Sequence, residues 1–116
     1  MSTEVKAHIE RAFSSLPREE RETIIRYGVV LRVSDLRKRL FLAESKVRQF
    51  EAQYSATLEQ LDATGLPDNA SYEMHEDYIL WHHWADVARK AAQDLTALQD
   101  IAQQGLPGGV AADGGD

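Results

Sequence analysis

Between Val33 and Leu61 apolar residues recur at alternating steps of three and four: Val33, Leu36, Leu40, Ala43, Val47, Phe50, Tyr54, the weaker Thr57, then Leu61. A 3.5-residue repeat held over about four heptads predicts a helix with a narrow apolar seam. A stripe of this kind cannot bury itself against its own helix. It requires a partner helix, from this chain or from another copy.

A second periodic stretch follows after a short break. Met74, Tyr78, Trp81, Ala85, Ala88, Ala92 and Leu95 form a seam of their own, and Leu98 and Ala102 continue it with a one-residue slip. Between the two seams, Gly65 is placed to end a helix, Pro67 forbids its continuation, and Asp68, Asn69 or Ser71 can cap the next one. Connections this short join antiparallel neighbours. Bulky Tyr78 and Trp81 near the loop and alanines further on can interdigitate with Tyr54, Phe50, Val47 and Leu40. The expectation is an all-α protein built on a long antiparallel coiled-coil hairpin, with a long helix over 29–63 and a returning helix over 71–104.

Ahead of the hairpin, Val5, His8, Ile9, Ala12, Phe13 and Leu16 share one helical face, with Ser2 or Thr3 as cap. These predict a short helix over 3–16. Pro17 and the acidic Glu19, Glu20 and Glu22 suit the first turn of another, over 17–28, because proline lacks an N–H and carboxylates favour the positive end of the helix dipole. Gly28, followed by β-branched Val29, Val30 and Val33, suggests a bend or a close helix approach. A strand over 27–33 would need a pairing partner, and no other segment resembles one. The glycine-rich tail 106–116 has no periodicity and is expected to be disordered, which leaves 1–105 as a single helical domain.

Composition narrows the function. The 116 residues suffice for one domain with a modest core, and 28% charged residues match helices with wet outer faces. No stretch approaches a membrane span and the N-terminus lacks a secretory pattern, so a soluble, cytoplasmic protein is expected. The net charge of −6 argues against a coat for nucleic acid. It is unevenly placed: residues 1–66 carry eleven Lys/Arg against ten Asp/Glu (+1), and residues 67–116 carry two against nine (−7). The acidic half suits a basic partner. The balanced N-terminal charge gives no support to DNA binding by that segment.

Candidate chemistry is sparse. There is no cysteine, no glycine-framed serine and no phosphate-cradling loop, so an enzyme is not expected and no cofactor is implied. His75, His82, His83 and Asp86, with Glu73, Glu76 and Asp77, make a dense patch of metal-competent side chains, but the Glu-x-x-His pair of di-iron bundles is missing and no metal is assigned. Arg32, Arg37, Lys38 and Arg39 form a basic cluster. Arg37 and Lys46 stand at seam-flanking positions where ion pairs to the acidic returning helix are expected.

Leu66-Pro67-Asp68, then Glu76-Asp77-Tyr78 and Trp81, preceded by Phe50-Glu51 and Tyr54 on a long charged helix, form a pattern over residues 36–95. It resembles the small helical antitoxin-type proteins paired with a short ribonuclease-like toxin. Where that family often has a further acidic residue after the tryptophan, this chain has His82-His83. The resemblance implies a protein that neutralises a basic, nucleic-acid-processing toxin, with Glu73, Glu76, Asp77, Tyr78, Trp81 and Trp84 as the contact surface. The reading from a different class is a homo-oligomeric coiled-coil scaffold or adaptor that pairs through the Val33 to Leu61 seam.

Overall fold

A computed structural model of the chain describes residues 2–105; the tail 106–116, expected to be disordered, lies outside the described residues. Four helices follow in order, α1 (Thr3–Ser14), α2 (Arg18–Tyr54), α3 (Leu58–Thr64) and α4 (Tyr72–Gly105), with no strand among the described residues. The packing divides into two units, one of residues 2–33 with 97–105 and one of Ser34–Thr96.

In the first unit the Ser2 hydroxyl caps α1 by accepting from the Val5 N–H at 3.2 Å. Pro17 opens α2, its carbonyl accepting from the Glu20 and Arg21 amides at 3.0 Å. The Arg21 guanidinium reaches back to donate to the carbonyls of Leu16 (2.6 Å) and Ser14 (3.0 Å), satisfying acceptors left open where α1 ends. α2 then runs unbroken through Gly28, where a bend or boundary was expected. Gly28 has no left-handed φ, and a Cβ built there would meet nothing within 4 Å. The helix tolerates the glycine; its own chain does not require it.

The second unit holds the hairpin of α2 on α4. Residues late in α2 meet residues early in α4: the Tyr54 hydroxyl donates to Asp77, Phe50 stacks on Trp81 at 5.6 Å, and Val47 and Ala85 line the same cavities. The buried apolar residues are Leu36, Ala43, Trp81, Ala91 and Leu95, all in this unit. The expected seam is therefore covered within the chain over Leu36, Leu40, Ala43, Val47, Phe50 and Tyr54, each buried or half-buried. On α4 the inward alanine is Ala91, and Ala92 is exposed. Ala91 stands four residues before the buried Leu95, so the two share one face of α4.

The long helix also ends earlier than its periodicity predicts, at Tyr54 instead of near residue 63. Ser55 takes a left-handed φ of 53°, and Thr57 caps α3 in a reciprocal box: its hydroxyl accepts from the Gln60 N–H at 3.1 Å, and the Gln60 side chain accepts from the Thr57 N–H at 2.8 Å. Thr57 is thus a cap where the seam assigned it an apolar position. Leu61 lies half-buried on α3. Gly65, at φ 81°, closes α3 by donating to the Leu61 carbonyl at 2.7 Å.

Candidate protein-binding surface at the loop end of the hairpin

Ser71 starts α4, its hydroxyl accepting from the Met74 N–H at 3.0 Å and its carbonyl from the His75 N–H at 3.1 Å. The helical period then sorts the next twelve residues into two faces. Met74, Asp77, Tyr78 and Trp81 turn inward, whereas Tyr72, Glu73, Glu76, Ile79, Leu80 and His83 are exposed.

The inner face is bound up with its own chain. Trp81 is fully buried, stacked on Phe50 and on Tyr54 (centroids 6.0 Å apart), and its indole N–H has no hydrogen-bond partner among the described residues. Asp77 accepts from the Tyr54 hydroxyl at 2.5 Å and from the Gln53 amide at 3.3 Å. That bond, with partial burial and the negative charges of Asp77 and Glu73, pushes the Tyr54 hydroxyl up to about 12, because each of these penalises the phenolate.

Beside this pair, the Tyr78 hydroxyl donates to Asp62 Oδ1, and His82 Nε2 lies 2.8 Å from the same oxygen. The hydrogen bonds from Tyr78 and His82 hold the Asp62 carboxyl below its ordinary value, and the bond to Asp62 raises the Tyr78 hydroxyl. The Tyr78 and His82 rings meet edge to face at 4.9 Å. These contacts fasten α3 to α4. Asp62 was not singled out from the sequence; the available signal was the four-residue spacing of Tyr78 and His82, which places two polar aromatics on one helix face.

The outer face is unpartnered among the described residues. Tyr72 is 79% exposed and Ile79 63% exposed, with Leu80 exposed beside them and the free carboxylates of Glu73 and Glu76 interleaved. Tyr72, Glu76, Ile79, Leu80 and His83 fall at spacings of four, seven, eight and eleven, one ridge of the helix.

Of the residues expected to contact a partner, Glu73 and Glu76 are therefore on the surface, Asp77 and Tyr78 are engaged inside the chain, and Trp81 is core. Trp84 is half-buried with its ring edge-on to His83 at 5.1 Å. Of the metal-competent residues, His82 is taken by Asp62, His75 and His83 are exposed, and Asp86 pairs with Arg89 at 3.3 Å. No cluster of three or more His, Cys, Asp or Glu placed to hold a metal occurs among the described residues.

The ion pairs expected from Arg37 and Lys46 to α4 do not form among the described residues. The carboxylates of Asp86 and Asp94 instead pair with Arg89 and Lys90 of their own helix, at 3.3 Å in each case. Neighbours three and four residues away are the nearest charges a helix offers. Arg39, His83, Asp86 and Asp94 border a solvent-open cavity of about 290 Å³ floored by Leu36 and Ala91. No helix among the described residues is long and apolar enough to cross a membrane.

Comparison with protein-family models, with curated proteins and with solved structures returned no match.

Proposed function

We propose that this protein acts by protein–protein contact, as an antitoxin-like neutraliser of a basic, nucleic-acid-processing protein in the cytoplasm. The observation that carries the reading is the outer ridge of α4, where exposed Tyr72, Ile79 and Leu80 stand beside the unpaired carboxylates of Glu73 and Glu76. Exposed apolar side chains grouped on one face and rimmed by charge mark interaction sites. Aromatic anchors with flanking charges of one sign suit a partner of the opposite sign.

A protein that processes nucleic acid holds its substrate through cationic groups facing phosphates. Glu73 and Glu76 present negative charge on a rigid helix where such a groove expects phosphate oxygens, and Tyr72 and Leu80 supply the apolar contact that phosphates lack. The bound ridge would exclude the nucleic acid by occupying its site. The resemblance of residues 36–95 to antitoxin-type proteins points the same way. Trp81 contributes by holding α4 on α2, so that the ridge stays in register.

The test is co-purification with the product of the adjacent gene and inhibition of its nuclease activity. Reversal of charge in Glu73→Lys with Glu76→Lys should weaken both, and the wild-type affinity should fall as salt rises. Failure to recover a basic partner, together with undiminished nuclease activity in its presence, removes the reading. Against the scaffold reading stands the occupied seam: a second copy pairing there would have to displace α4.

A further inference from the structure

We infer that the exposed face of α2 over residues 18–33 is a self-association surface whose occupant is the same face of a second copy, laid antiparallel. Ile24, Tyr27 and Leu31 recur there at steps of three and four, with Tyr27 68% and Leu31 67% exposed. Nothing among the unit's described residues covers them. None of residues 2–33 and 97–103 is buried, and α1 leaves Val5 and Ile9 exposed as well. α1 has only twelve residues, and an isolated helix of that length gains too little to hold its shape in water.

Gly28 is the second, independent observation. It lies inside the stripe between Ile24 and Leu31, it weakens the helix relative to alanine, and neither its φ nor any neighbour within 4 Å demands it. A missing side chain at that point lets another backbone approach closely, as at crossings where small residues sit between larger ones.

Charge identifies the occupant. Residues 18–33, which bear the face, carry Arg18, Arg21, Arg26 and Arg32 against Glu19, Glu20 and Glu22, four against three, so the segment calls for neither a basic nor an acidic stranger. The first turn holds Arg18 and Arg21 as well as Glu19 and Glu20, but Arg18 is taken by Glu22 at 2.8 Å and Arg21 by the Leu16 and Ser14 carbonyls, so Glu19 and Glu20 are the charges left to face Arg32 of an antiparallel copy. Antiparallel copies set each acidic end beside the other copy's Arg32, whereas parallel copies stack like on like. The surface shares no residue with the α4 ridge and does not depend on the proposed function.

Sedimentation velocity of the full chain tests it. The wild type should pass from monomer to dimer as concentration rises. Tyr27→Glu with Leu31→Glu should loosen the dimer by roughly 30-fold or more while the far-ultraviolet circular dichroism stays helical, because both side chains are exposed in the monomer. If that variant loses helix, Leu31→Ala, a strong helix former, supplies the same comparison with a smaller shift.

The chain has no cysteine, so orientation is read from single-cysteine variants. A mixture of Glu20→Cys and Arg32→Cys should form interchain disulfides, and Glu20→Cys alone should not. A wild type that stays monomeric at every concentration, helical variants that still dimerise like wild type, or cross-linking of Glu20→Cys alone without the mixture overturns the inference.

Discussion

Replacing Trp81 by alanine should remove most of what holds the hairpin together. The side chain is fully buried between Phe50 and Tyr54, whose rings stack on it at interplanar angles of 23° and 20°. Truncating a buried tryptophan costs about 3–5 kcal/mol through lost transfer energy and the cavity left behind. Against a total stability of roughly 5–15 kcal/mol, that removes between about a fifth and all of it.

Trp81→Phe separates the ring from the indole N–H. The buried N–H has no partner among the described residues, and leaving such a donor unsatisfied costs about 1–3 kcal/mol. Phenylalanine loses apolar area yet removes that penalty, so its net cost should fall below about 2 kcal/mol. Urea unfolding followed by circular dichroism measures both, with the half-buried Trp84 kept as a fluorescent reporter. If Trp81→Ala costs less than about 1 kcal/mol, or Trp81→Phe costs as much as alanine, the packing argument fails.

Other expected outcomes follow from the same contacts. Thr57→Ala should cost about 1 kcal/mol by removing the cap of α3, and hydrogen exchange at the Gln60 amide should rise by a matching factor. Ser55→Gly should raise stability by about 1 kcal/mol in urea unfolding, because glycine bears a left-handed φ without the Cβ penalty.

Tyr54 keeps its proton more tightly folded than unfolded, so its contribution is complete below pH 10 and is lost as pH rises toward 12; Tyr54→Phe should flatten that alkaline limb of the Tm profile. Asp62 is shifted the other way. Its contribution is present above the ordinary aspartate range and is lost as pH falls through its lowered value, and Asp62→Asn should blunt the acid limb.

The inward face of the hairpin was legible in the sequence because burial imposes a period. Leu36, Leu40, Ala43, Val47, Phe50 and Tyr54 on one helix and Trp81, Ala85, Ala88 and Leu95 on the other occupy the contact line that their spacing predicts. Boundaries were less legible. Thr57 reads as a weak seam position if only the period is followed, whereas Thr57-x-x-Gln60 is a capping-box signature that local hydrogen bonding makes decisive. Gly28 reads as a break, but without a turn or a left-handed φ it only weakens the helix.

The candidate surface was half legible. Glu73 and Glu76 are outward, yet the exposed aromatic beside them is Tyr72, because Trp81 meets Phe50 and Tyr54 across the hairpin. Sequence spacing places Trp81 and Trp84 on nearly one face; only the opposing helix decides which of them is covered. The ion pairs of Arg89 and Lys90 were likewise settled by reach along α4 instead of across it.

Which faces remain free for partners depends on α4 covering the seam of α2 within a single chain. Introducing Val47→Cys with Ala85→Cys into this cysteine-free chain and oxidising dilute protein measures that directly, since both residues line the same cavities between the two helices. A disulfide within one chain, running as a monomer on a denaturing gel, is the predicted result. Disulfides that form only between chains would mean that a second molecule fills the seam.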